Sequence, residues 1–515
     1  MTTGIENKTD IAEFVTLHHS SGRVFENVPT GLFINNEFVP SKSGKKFDTI
    51  DPNTGNVIMS VYEADASDVN VAVEAAKKGF EQWSKISPRE RSDLLYKLAE
   101  LIYRDREILA GIEAYDNGKP YSQFVVLMDE YMIQALGADL NFVVEHFKYF
   151  AGAADKLNHG RHIDIREGVH AYTRPEPYGV VGQIVPWNFP LLMLTWKIAP
   201  ALAAGNAVVL KTSEKTPLSA LKLAQLIVEA GFPPGVVNFL SGFGPSAGDA
   251  IARHPDIHKV SFTGSTATGR KILAASAESN LKKVSLELGG KSPNVVFNDA
   301  KLDEAILACR VGYSFNQGQV CCAGTRVFVQ EGIYDEFIAR LKEDAAKIKV
   351  GNSFDADTDV GPLVDKLQFD RVLSYVEEGK KAGAHLEFGG HRIGTEGYYV
   401  SPTIFSNVHE DMKIVKEEIF GPVIVIDKFS TLEDGIAKAN NTEFGLAASV
   451  HTTNVSTYVR AANGIQAGTI WVNTHNQLYA GIPFGGYKLS GHGRDGGYEA
   501  LQEYTQLKSV YVALV

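Results

Sequence analysis

Two adjacent cysteines, Cys321 and Cys322, are the residues of this sequence best suited to nucleophilic chemistry. They lie in the segment Asn-Gln-Gly-Gln-Val-Cys-Cys-Ala-Gly, residues 316–324. Adjacent cysteines are more often two small buried residues, and a metal site is disfavoured because no paired His or Cys accompanies them at ligand spacing. The flanking glycines and amides instead predict a turn that exposes a reactive thiol.

A nucleophilic thiol needs a base and a donor for the developing negative charge. Glu287 is the best base candidate, because it stands in the apolar run Val284–Leu288 just before two glycines. A carboxyl group at the end of a buried strand is expected to have a raised pKa, which suits proton transfer near neutral pH. The alternative is that Glu287 simply pairs with Lys283 or Lys291.

The elements that must position these groups follow from a regular alternation that begins at Gly179. Short runs rich in Val, Ile, Leu and Phe recur along the chain, with helical segments such as Leu218–Ala230 and Ala247–Arg253 between them. This alternation is typical of parallel βαβ units, which bind ligands outside the carboxyl ends of their strands. The predicted strands are Val180–Val185, Ala207–Lys211, Val236–Leu240, Lys259–Phe262 and Val284–Leu288. Glycine or a reactive polar residue follows all five strands, so we predict a site at this edge of the sheet.

Glycine-rich turns after two of these strands are suited to a dinucleotide. Residues 264–269 (Gly-Ser-Thr-Ala-Thr-Gly) precede a helix predicted to start near Arg270, and amides at such an N-terminus bind phosphate. Residues 242–244 (Gly-Phe-Gly) lack the third glycine of the usual fingerprint, so either turn alone is as readily a structural one. Glu214, which can accept hydrogen bonds from both ribose hydroxyls, and Lys211 near it favour a dinucleotide.

The composition bounds the class of protein. With 515 residues, 44% hydrophobic and 22% charged, the chain is expected to fold into about three globular domains. Its net charge of −11 argues against nucleic acid and anionic membranes as partners. Three cysteines predict a reducing compartment rather than a disulfide scaffold.

The chain carries neither a recognisable targeting signal nor a convincing membrane span. Its first twenty residues contain three acidic residues and no long apolar run, unlike a signal peptide or a mitochondrial presequence. The segment Phe189–Leu210 has about the length of a span, but Lys197, Pro200 and Gly205 interrupt it, so a helix followed by a buried strand is predicted. We therefore expect a cytoplasmic protein, with the mitochondrial matrix as the alternative.

Further elements are predicted on either side of the alternating region. Leu32–Phe38 is predicted to be β-rich, and Ser67 and Ser87 are predicted to cap two helices, the second of which opens with Pro88. A second alternation follows towards the C-terminus. Its predicted elements are the helices Leu302–Phe315 and Tyr334–Lys347 and the strands Arg326–Val329, Val423–Phe429 and Gly468–Val472. The β-prone tail Leu507–Val515 has no partner nearby in the sequence, so it is expected to pair with another subunit.

Seven motifs in combination are specific to one family. They are Pro186–Pro190 (PWNFP), Lys211–Pro217 (KTSEKTP), Phe262–Gly269 (FTGSTATG), Leu286–Pro293 (LELGGKSP), Asn316–Gly324 (NQGQVCCAG), Glu417–Val423 (EEIFGPV) and Pro483–Gly493 (PFGGYKLSGHG). From about Gly31 to Val510 the chain resembles the NAD(P)-dependent aldehyde dehydrogenases of the non-acylating, class 1 and 2-like, fungal type. Such enzymes oxidise aldehydes to carboxylic acids.

The resemblance implies a catalytic role for three residues. In the family the nucleophile directly follows Gly-Gln-x, which places it at Cys321 and leaves Cys322 without a required role. Cys321 would attack the aldehyde to form a thiohemiacetal, whose oxyanion the amide of Asn188 and the backbone N–H of Cys321 would hold. After hydride transfer to the nicotinamide, Glu287 would activate the water that hydrolyses the thioester.

The resemblance also implies the cofactor contacts. Lys211 and Glu214 would bind the adenosine ribose, and Glu418 the nicotinamide ribose. The carboxylate of Glu214 favours NAD, because the 2′-phosphate of NADP would meet a like charge, although Lys215 leaves NADP possible. Further contacts are expected from Ile184, Trp187, Gly244, Gly264, Ser265 and Phe420.

An apolar, partly aromatic substrate tunnel is implied as well. Its lining would include Phe189, Met193, Trp196, Leu478 and Phe484, and core packing is the stronger alternative for Met193. Relatives often carry an aromatic residue at the position of Leu478. Small aliphatic aldehydes such as acetaldehyde are the expected substrates, and no metal is expected.

The fold that the resemblance implies is α/β, with three parts. An N-terminal extension (1–30) precedes a Rossmann-like dinucleotide-binding domain (31–155 and 177–289), an α/β catalytic domain (290–489) and a β-hairpin oligomerisation element (156–176 and 490–515). The C-terminal tail would find its partner strand in another subunit. A homotetramer, a pair of dimers, is expected, with a dimer as the alternative.

Three other functions compete with this interpretation. An acylating, coenzyme-A-dependent dehydrogenase needs no hydrolytic base, so the presence of Glu287 counts against it. Oxidation of a semialdehyde or of betaine aldehyde depends on pocket residues and stays open. A catalytically silent scaffold or lens-type protein on the same fold would have lost Cys321, Glu287 or Asn188, and all three are present.

Overall fold

The structure, a computed structural model, describes residues 12–121, 138–156 and 160–514. Residues 1–11, which belong to the predicted N-terminal extension and to the segment searched for a targeting signal, lie outside the described residues. So do residues 122–137 of the predicted dinucleotide-binding domain, residues 157–159 of the predicted oligomerisation element, and the last residue of the tail.

The strands and helices of the described residues are numbered here in chain order. The strands are β1 Phe14–His18, β2 Val24–Pro29, β3 Leu32–Ile34, β4 Glu37–Val39, β5 Lys46–Ile50, β6 Val57–Tyr62, β7 His162–Ile163, β8 Val169–Pro177, β9 Val180–Ile184, β10 Ala207–Thr212, β11 Val237–Ser241, β12 Lys259–Thr263, β13 Lys283–Glu287, β14 Pro293–Val296, β15 Arg326–Gln330, β16 His385–Phe388, β17 Thr403–Ser406, β18 Val423–Phe429, β19 Phe444–Gly445, β20 Ala447–His451, β21 Thr469–Val472, β22 Tyr487–Lys488, β23 Gly491–His492 and β24 Thr505–Ala513. The α-helices are α1 Ala66–Trp83, α2 Pro88–Arg104, α3 Arg106–Asn117, α4 Ala138–Ala153, α5 Pro190–Ala203, α6 Leu218–Ala230, α7 Asp249–Arg253, α8 Thr266–Glu278, α9 Leu302–Ser314, α10 Tyr334–Ala345, α11 Lys366–Lys381, α12 Lys413–Lys416, α13 Leu432–Asn440, α14 Val455–Gly464 and α15 Gly497–Glu503.

An eight-stranded sheet contains the five strands predicted from the first alternation. Its strand order is β23-β13-β12-β9-β10-β11-β3-β4, and β13, β12, β9, β10 and β11 are mutually parallel. The strands β9, β10, β11 and β12 are buried along their whole length, because helices cover both faces of the sheet. Each predicted strand is confirmed to within one residue at either end.

The winding of this sheet reverses beside β9. From β9 the chain continues to β10 and β11 on one side, and it then returns to place β12 and β13 on the other side. Open α/β sheets bind ligands at such a reversal, outside the carboxyl ends of the strands. The Rossmann-like arrangement predicted for this region is therefore present, and it fixes where a cofactor would lie.

A second sheet follows directly from the first. Residues 288–292 connect β13 to β14, the first strand of a seven-stranded sheet of order β16-β17-β18-β15-β14-β20-β21. All its neighbouring strands run parallel except β16, which is antiparallel to β17. The predicted second alternation is thus confirmed, and the short connection brings the carboxyl end of β13 to the boundary between the two sheets.

The C-terminal tail forms the edge of a third, small sheet. Its strand β24 pairs antiparallel with β8 of the same chain, from Thr505 opposite Pro177 to Ala513 opposite Val169, and β7 completes a three-stranded sheet. The tail therefore has a partner strand in its own chain, which the sequence did not predict. Because β24 is the edge strand of this sheet, its pairing with another subunit stays a prediction. Helix α15 returns the chain to β8, a partner so distant in sequence that no local pattern predicts the pairing.

Two predicted helix starts near the N-terminus have different outcomes. Helix α2 opens with Pro88 and is capped by Ser87, as predicted. Helix α1 is capped by Asp65 rather than Ser67: the carboxylate of Asp65 accepts the N–H of Ser67 at 2.8 Å, and Asp68 closes a capping box.

The apolar segment Phe189–Leu210 forms a helix and a strand. Helix α5 ends before Gly205, which adopts a left-handed φ of 91°, and β10 follows. Within the described ranges, no helix is both long enough and apolar enough to span a bilayer.

Candidate active site

Cys321 lies in a tight loop between α9 and β15. The preceding residues Asn316, Gln317 and Gly318 have φ values of 46°, 58° and 69°, a left-handed conformation that residues other than glycine rarely adopt. The side chain of Cys322 is buried, whereas Cys321 is only partly buried. A hydrogen bond with the Cys322 thiol and burial raise the pKa of the Cys321 thiol well above its usual range. The predicted turn is present, and its thiol needs a base to become a nucleophile.

Asn188 is held against this loop. It follows β9 and precedes α5, at the carboxyl end of the first sheet. Its Nδ2 donates a hydrogen bond to the backbone O of Gln319 at 2.8 Å, and its own backbone O accepts one from Nδ2 of Asn316 at 2.8 Å. An amide nitrogen carries two N–H donors, so the second one stays available for an anion formed nearby.

Glu287 is buried at the carboxyl end of β13. Neither carboxylate oxygen has a hydrogen-bond partner, and the alternative of a pair with Lys283 or Lys291 is not found. Burial, followed by the charge of Asp495, raises the pKa of Glu287 well above its usual range, and the Cys321 thiol contributes in the same direction. A buried carboxyl with a raised pKa and no partner is suited to take and release a proton.

A glycine makes room for this carboxylate. A Cβ added to Gly485 would lie 2.6 Å from Oε1 of Glu287, closer than any ordinary contact. Gly485 belongs to the motif 483–493, whose sequence alone does not show why this position is a glycine. The position of the Glu287 carboxylate explains it, because a side chain at residue 485 would collide with that carboxylate.

Lys197 and Asp495 form a buried ion pair that no local sequence pattern predicts. Nζ of Lys197 lies 2.6 Å from Oδ2 of Asp495, and both side chains are at most 5% exposed. Asp495 raises the pKa of Glu287 and Lys197 opposes that rise, so the pair lies close enough to tune the base. The one signal in the sequence is a lysine in the middle of an otherwise apolar segment. That lysine argues against a membrane span, but it does not indicate its partner.

The predicted adenosine contacts lie at the carboxyl ends of β10 and β11. Nζ of Lys211 donates to the backbone O atoms of Thr212 and Gly242, both at 2.8 Å, and lies 3.6 Å from Oε2 of Glu214. Burial lowers the pKa of Lys211. A Cβ at Gly244 would meet no atom within 4 Å, so space is open beside this glycine. Lys211, Glu214 and the 242–244 turn therefore surround one accessible region.

The predicted phosphate contact sits at a helix N-terminus. Helix α8 begins at Thr266 and not near Arg270, because Ser265 caps it by accepting the N–H of Thr268 at 3.3 Å. The first-turn amides and the positive end of the helix dipole thus meet the carboxyl end of β12, which suits a pyrophosphate. Gly264 also has a structural reason, since a Cβ there would lie 2.5 Å from the ring of Phe262.

Ile184 and Trp187 flank the end of β9. Ile184 is buried between Lys211 of β10 and Phe262 of β12. The ring of Trp187 lies edge-to-face with that of Phe420, with centroids 5.3 Å apart. Ile184 thus neighbours the predicted adenosine contact Lys211, and Trp187 contacts Phe420 on the loop before β18.

Glu418 and Phe420 lie on the loop before β18, across from the first sheet. A carboxylate oxygen of Glu418 accepts the N–H of Gly290 at 3.0 Å, and burial raises the pKa of Glu418 to about 7. A Cβ on Gly289 would lie 2.3 Å from the same carboxylate, so a side chain there would displace it. Phe420 has a φ of 63°, an outlying value for a bulky residue.

All five predicted tunnel residues line one apolar cavity together with Cys321. They are Phe189, Met193, Trp196, Leu478 and Phe484. The cavity is also lined by Asp139, Phe142, Leu192, Phe315, Val320, Cys322 and Asn476, which were not predicted. Leu192 could have been found, because it shares a helical face with Met193 and Trp196 on α5. The others come from α4, from the segment between α9 and β15, and from the loop after β21, and they carry no local signal.

The geometry divides the predicted residues into three connected regions. Asn188 is bonded to the loop of Cys321, and the Cys321 thiol influences the pKa of Glu287 at the end of β13. Cys321 also lines the apolar cavity, and the groups suited to ribose and phosphate lie along the carboxyl edge of the first sheet. A thiol, an amide donor and a buried carboxyl between an apolar cavity and a dinucleotide crevice define a cysteine-dependent oxidoreductase.

Comparison with known proteins agrees with this class. A sequence model of the aldehyde dehydrogenase family matches residues 38–510. An aldehyde dehydrogenase of Emericella nidulans is 55% identical over 94% of this chain and 95% of its own length, and human retinal dehydrogenase 2 is 49% identical over 94% and 92%. An NAD+ complex of aldehyde dehydrogenase from Bacillus cereus superposes with a TM-score of 0.92 at 49% identity, over 95% of this chain and 98% of that one.

The chain belongs to the aldehyde dehydrogenase family. The resemblance noted in the sequence is confirmed, as are the α/β fold of that family and the assignment to oxidoreductases that act on aldehydes. The roles of individual residues rest on the geometry above.

Proposed function

We propose that this protein oxidises small uncharged aldehydes to carboxylic acids with NAD+, through a covalent adduct on Cys321. The observation that carries the proposal is the unpartnered carboxyl of Glu287, buried close enough to Cys321 for the thiol to influence its pKa. A base of this kind is needed for hydrolysis and is superfluous in an acylating enzyme. Asn188, bonded to the loop of the nucleophile, supplies the third group.

The residues present fit a dinucleotide. Lys211 and Glu214 would hold the adenosine ribose, the first turn of α8 with Ser265 the pyrophosphate, and Glu418 the second ribose. The open space beside Gly244 and the exposed start of α8 support this fit. When bound, NAD+ supplies the two-electron oxidant that converts the thiohemiacetal on Cys321 into a thioester.

The ion pair between Lys215 and Asp365 favours NAD over NADP as the cofactor. Nζ of Lys215 lies 2.7 Å from Oδ2 of Asp365, so its charge is already engaged away from the ribose site. The carboxylate of Glu214 would then repel a 2′-phosphate without a free neighbouring cation. Lys215, the residue that left NADP possible in the sequence analysis, is therefore not free to attract that phosphate.

The thiol, the amide and the carboxyl act in order on the bound aldehyde. Because the pKa of Cys321 is raised, a base must take its proton as the thiol attacks, and Glu287 in its ionised form is suited to do so. The free N–H of Asn188 then donates to the oxyanion, a contribution of about 3–4 kcal/mol in comparable sites. Glu287 next releases that proton to solvent and, ionised again, takes one from the water that attacks the thioester. The tetrahedral adduct then expels the Cys321 sulfur, which recovers this proton from Glu287 as the acid is released.

The cavity favours an uncharged substrate. Among the described lining residues, Asp139 is the one that carries a charge, and Nζ of Lys119 lies 2.5 Å from the Asp139 carboxylate. A semialdehyde would need a cation for its carboxylate, and the lining within residues 12–121, 138–156 and 160–514 offers none. Because the remaining walls are apolar and aromatic, aliphatic aldehydes such as acetaldehyde fit the described lining better than semialdehydes.

The decisive experiment is NADH formation from acetaldehyde without coenzyme A, by the wild type, Cys321→Ala and the matched control Cys322→Ala. We expect turnover in the wild type and the control and none in Cys321→Ala. A wild type that needs coenzyme A would be an acylating enzyme, and Glu287 would not be the deacylating base. Turnover that survives in Cys321→Ala but not in Cys322→Ala would move the nucleophile to Cys322.

We also propose that the chain assembles as a homotetramer. Strand β24 is the edge of its sheet and carries the exposed side chains of Leu507 and Tyr511. An edge strand with exposed apolar residues is expected to be covered by another copy. Light scattering should give the mass of four chains; the mass of two would indicate the dimer, and the mass of one would contradict assembly.

A further inference from the structure

An ion pair joins the two walls of the cofactor crevice. Lys215 follows β10 of the first sheet, and Asp365 caps α11, which packs with the second. Their charged atoms are 2.7 Å apart, and the two side chains are only 19% and 26% exposed. Nζ of Lys215 also lies 5.1 Å from the centre of the Trp187 ring, so this ammonium is fixed between two partners.

Helix α11 continues this link to the opposite end of the crevice. One carboxylate oxygen of Asp365 accepts the N–H of Gln368 at 2.8 Å, while the other meets Lys215. The side-chain amide of Gln368 donates to the backbone O of Phe420 at 2.7 Å. One turn further along, Nη2 of Arg371 donates to the backbone O of Glu418 at 2.7 Å.

The loop held by these two side chains is a strained one. Phe420 has a φ of 63°, a conformation that a bulky residue keeps only when its surroundings impose it. The bond from Gln368 and the edge-to-face contact with Trp187 are the interactions that surround it. Whatever sets the position of α11 therefore also sets the position of Glu418 and Phe420.

We propose that Lys215, Asp365 and α11 form a strut that fixes the distance between the adenosine and nicotinamide halves of the cofactor site. The inference rests on the proposed function, because it assigns the loop of Glu418 and Phe420 to the nicotinamide end. Lys215 and Asp365 are positioning residues in this account: they act through α11. Neither residue has to touch the cofactor to do so.

The strut predicts a specific pattern of binding. Without the ion pair, α11 is free to shift relative to β10, so a ligand that spans both halves should bind less well. The Kd of a ligand that occupies only the adenosine half should not change. NAD+ and AMP are therefore the two probes, and direct titration by calorimetry measures both without turnover.

The variants are chosen so that the fold and the helix cap survive. Lys215→Met removes the cation, and Asp365→Asn removes the anion while keeping a residue that caps a helix well. Lys366→Met is the matched control, because Lys366 forms a 2.6 Å ion pair with Asp370 on the exposed face of the same helix. Lys215→Arg keeps the charge and serves as the rescue.

We expect Lys215→Met and Asp365→Asn each to raise the Kd of NAD+ by about fivefold, with the double variant no worse than either. The Kd of AMP should stay within about twofold of the wild-type value, Lys215→Arg should restore NAD+ binding, and Lys366→Met should change nothing. With acetaldehyde, kcat should fall together with NAD+ affinity.

Two results would overturn the strut. A parallel loss of AMP and NAD+ affinity would make Lys215 a direct adenosine contact, and unchanged NAD+ affinity in both single variants would show that the ion pair positions nothing. Failure of the proposed function looks different: the wild type would bind NAD+ without oxidising any aldehyde, and the titrations would still test the strut.

Discussion

The side-chain amide of Asn188 donates a 2.8 Å hydrogen bond to the backbone oxygen of Gln319, two residues before Cys321. This bond joins the carboxyl end of β9 to the nucleophile loop, and the bond from Asn316 to the backbone of Asn188 reinforces it. The proposed oxyanion donor and the loop of the proposed nucleophile are thereby held together before substrate arrives, which is what electrostatic preorganisation requires.

Asn188→Ala should lower kcat by about 100- to 1000-fold, because the donor for the oxyanion is lost. The KM for aldehyde should change little, since the cavity lining is untouched. Alkylation of Cys321 by iodoacetamide separates this effect from a collapsed loop: a rate near that of the wild type would mean that the thiol is still in place. A kcat within twofold of the wild type would remove Asn188 from the mechanism.

Glu287→Gln should make no more than one equivalent of NADH per active site, because the thioester on Cys321 is no longer hydrolysed. That NADH should form more slowly than in the wild type, because the thiol has lost its base as well. Rapid-mixing absorbance at 340 nm measures the burst, and mass spectrometry detects the acyl group on the protein. Steady turnover at the wild-type rate would show that another base activates the water.

The raised pKa of Glu287 also sets the direction of two pH effects. The carboxyl must be ionised to act as a base, so wild-type kcat should rise with pH through that raised pKa. Between its ordinary pKa and its raised one, the folded protein binds the Glu287 proton more tightly than the unfolded chain does, so this residue makes the free energy of unfolding fall as pH increases. Glu287→Gln should therefore gain thermal stability relative to the wild type at pH 8 and less at pH 5.

Lys197 and Asp495 should shift the same pH profile in opposite directions. Lys197 holds the pKa of Glu287 down and Asp495 pushes it up. Lys197→Met should accordingly move the rise in kcat to higher pH, and Asp495→Asn should move it to lower pH. Shifts of the same sign in both variants would indicate a change of structure rather than of charge.

Breaking that ion pair should also destabilise the fold. Removing one partner leaves a buried charge without compensation, which costs about 3–5 kcal/mol in comparable pairs. Urea denaturation of Lys197→Met, Asp495→Asn and the double variant measures this. We expect the double variant to lose less stability than the sum of the two single variants, and strict additivity would contradict direct pairing.

Sequence predicts those parts of the site that depend on short stretches of chain. The strand ends could be found because parallel strands buried on both faces leave continuous apolar runs, and Glu287 and Asn188 each stand at the end of such a run. The turn around Cys321 could be found from its glycines and amides. In each case the local pattern is also the cause of the local structure.

Relations between distant parts of the chain could not be predicted in this way. Lys197 and Asp495 are 298 residues apart, and each taken alone is an ordinary charged residue in a helix or a turn. The pairing of β24 with β8 is hidden for the same reason, because the two strands are more than 300 residues apart in the sequence. Such contacts follow from how the two sheets and the third, small sheet are joined, and that is a property of the whole chain.

Leu478→Phe should narrow the substrate range. Leu478 lines the cavity that contains Cys321, and a larger ring there would occupy space that longer aldehydes need. We expect kcat/KM for hexanal to fall about tenfold, which corresponds to about 1.4 kcal/mol, while acetaldehyde is affected less than about twofold. Leu367→Phe is the control, because Leu367 is 74% exposed on α11 and is not among the lining residues of the cavity. An equal loss for both aldehydes would mean that Leu478 affects the reacting centre instead of the length of the cavity.

Glu214→Gln should weaken the discrimination against NADP. The carboxylate of Glu214 pairs with Nζ of Lys211 at 3.6 Å, and the cation of Lys215 is engaged with Asp365. The 2′-phosphate of NADP would therefore meet a carboxylate while both neighbouring cations are already paired. The amide of glutamine keeps the size and a hydrogen-bonding group but removes the repulsion, and it also leaves Lys211 free to attract the phosphate. We expect the ratio of kcat/KM for NAD+ to that for NADP+ to fall by about tenfold, with part of the change a loss of NAD+ affinity because a ribose acceptor is weakened. Initial rates with each cofactor at saturating acetaldehyde measure the ratio. Glu63→Gln is the control, because it makes the same change at a glutamate for which no ion pair is described. If the ratio stayed at the wild-type value, the choice of cofactor would be made by residues other than Glu214.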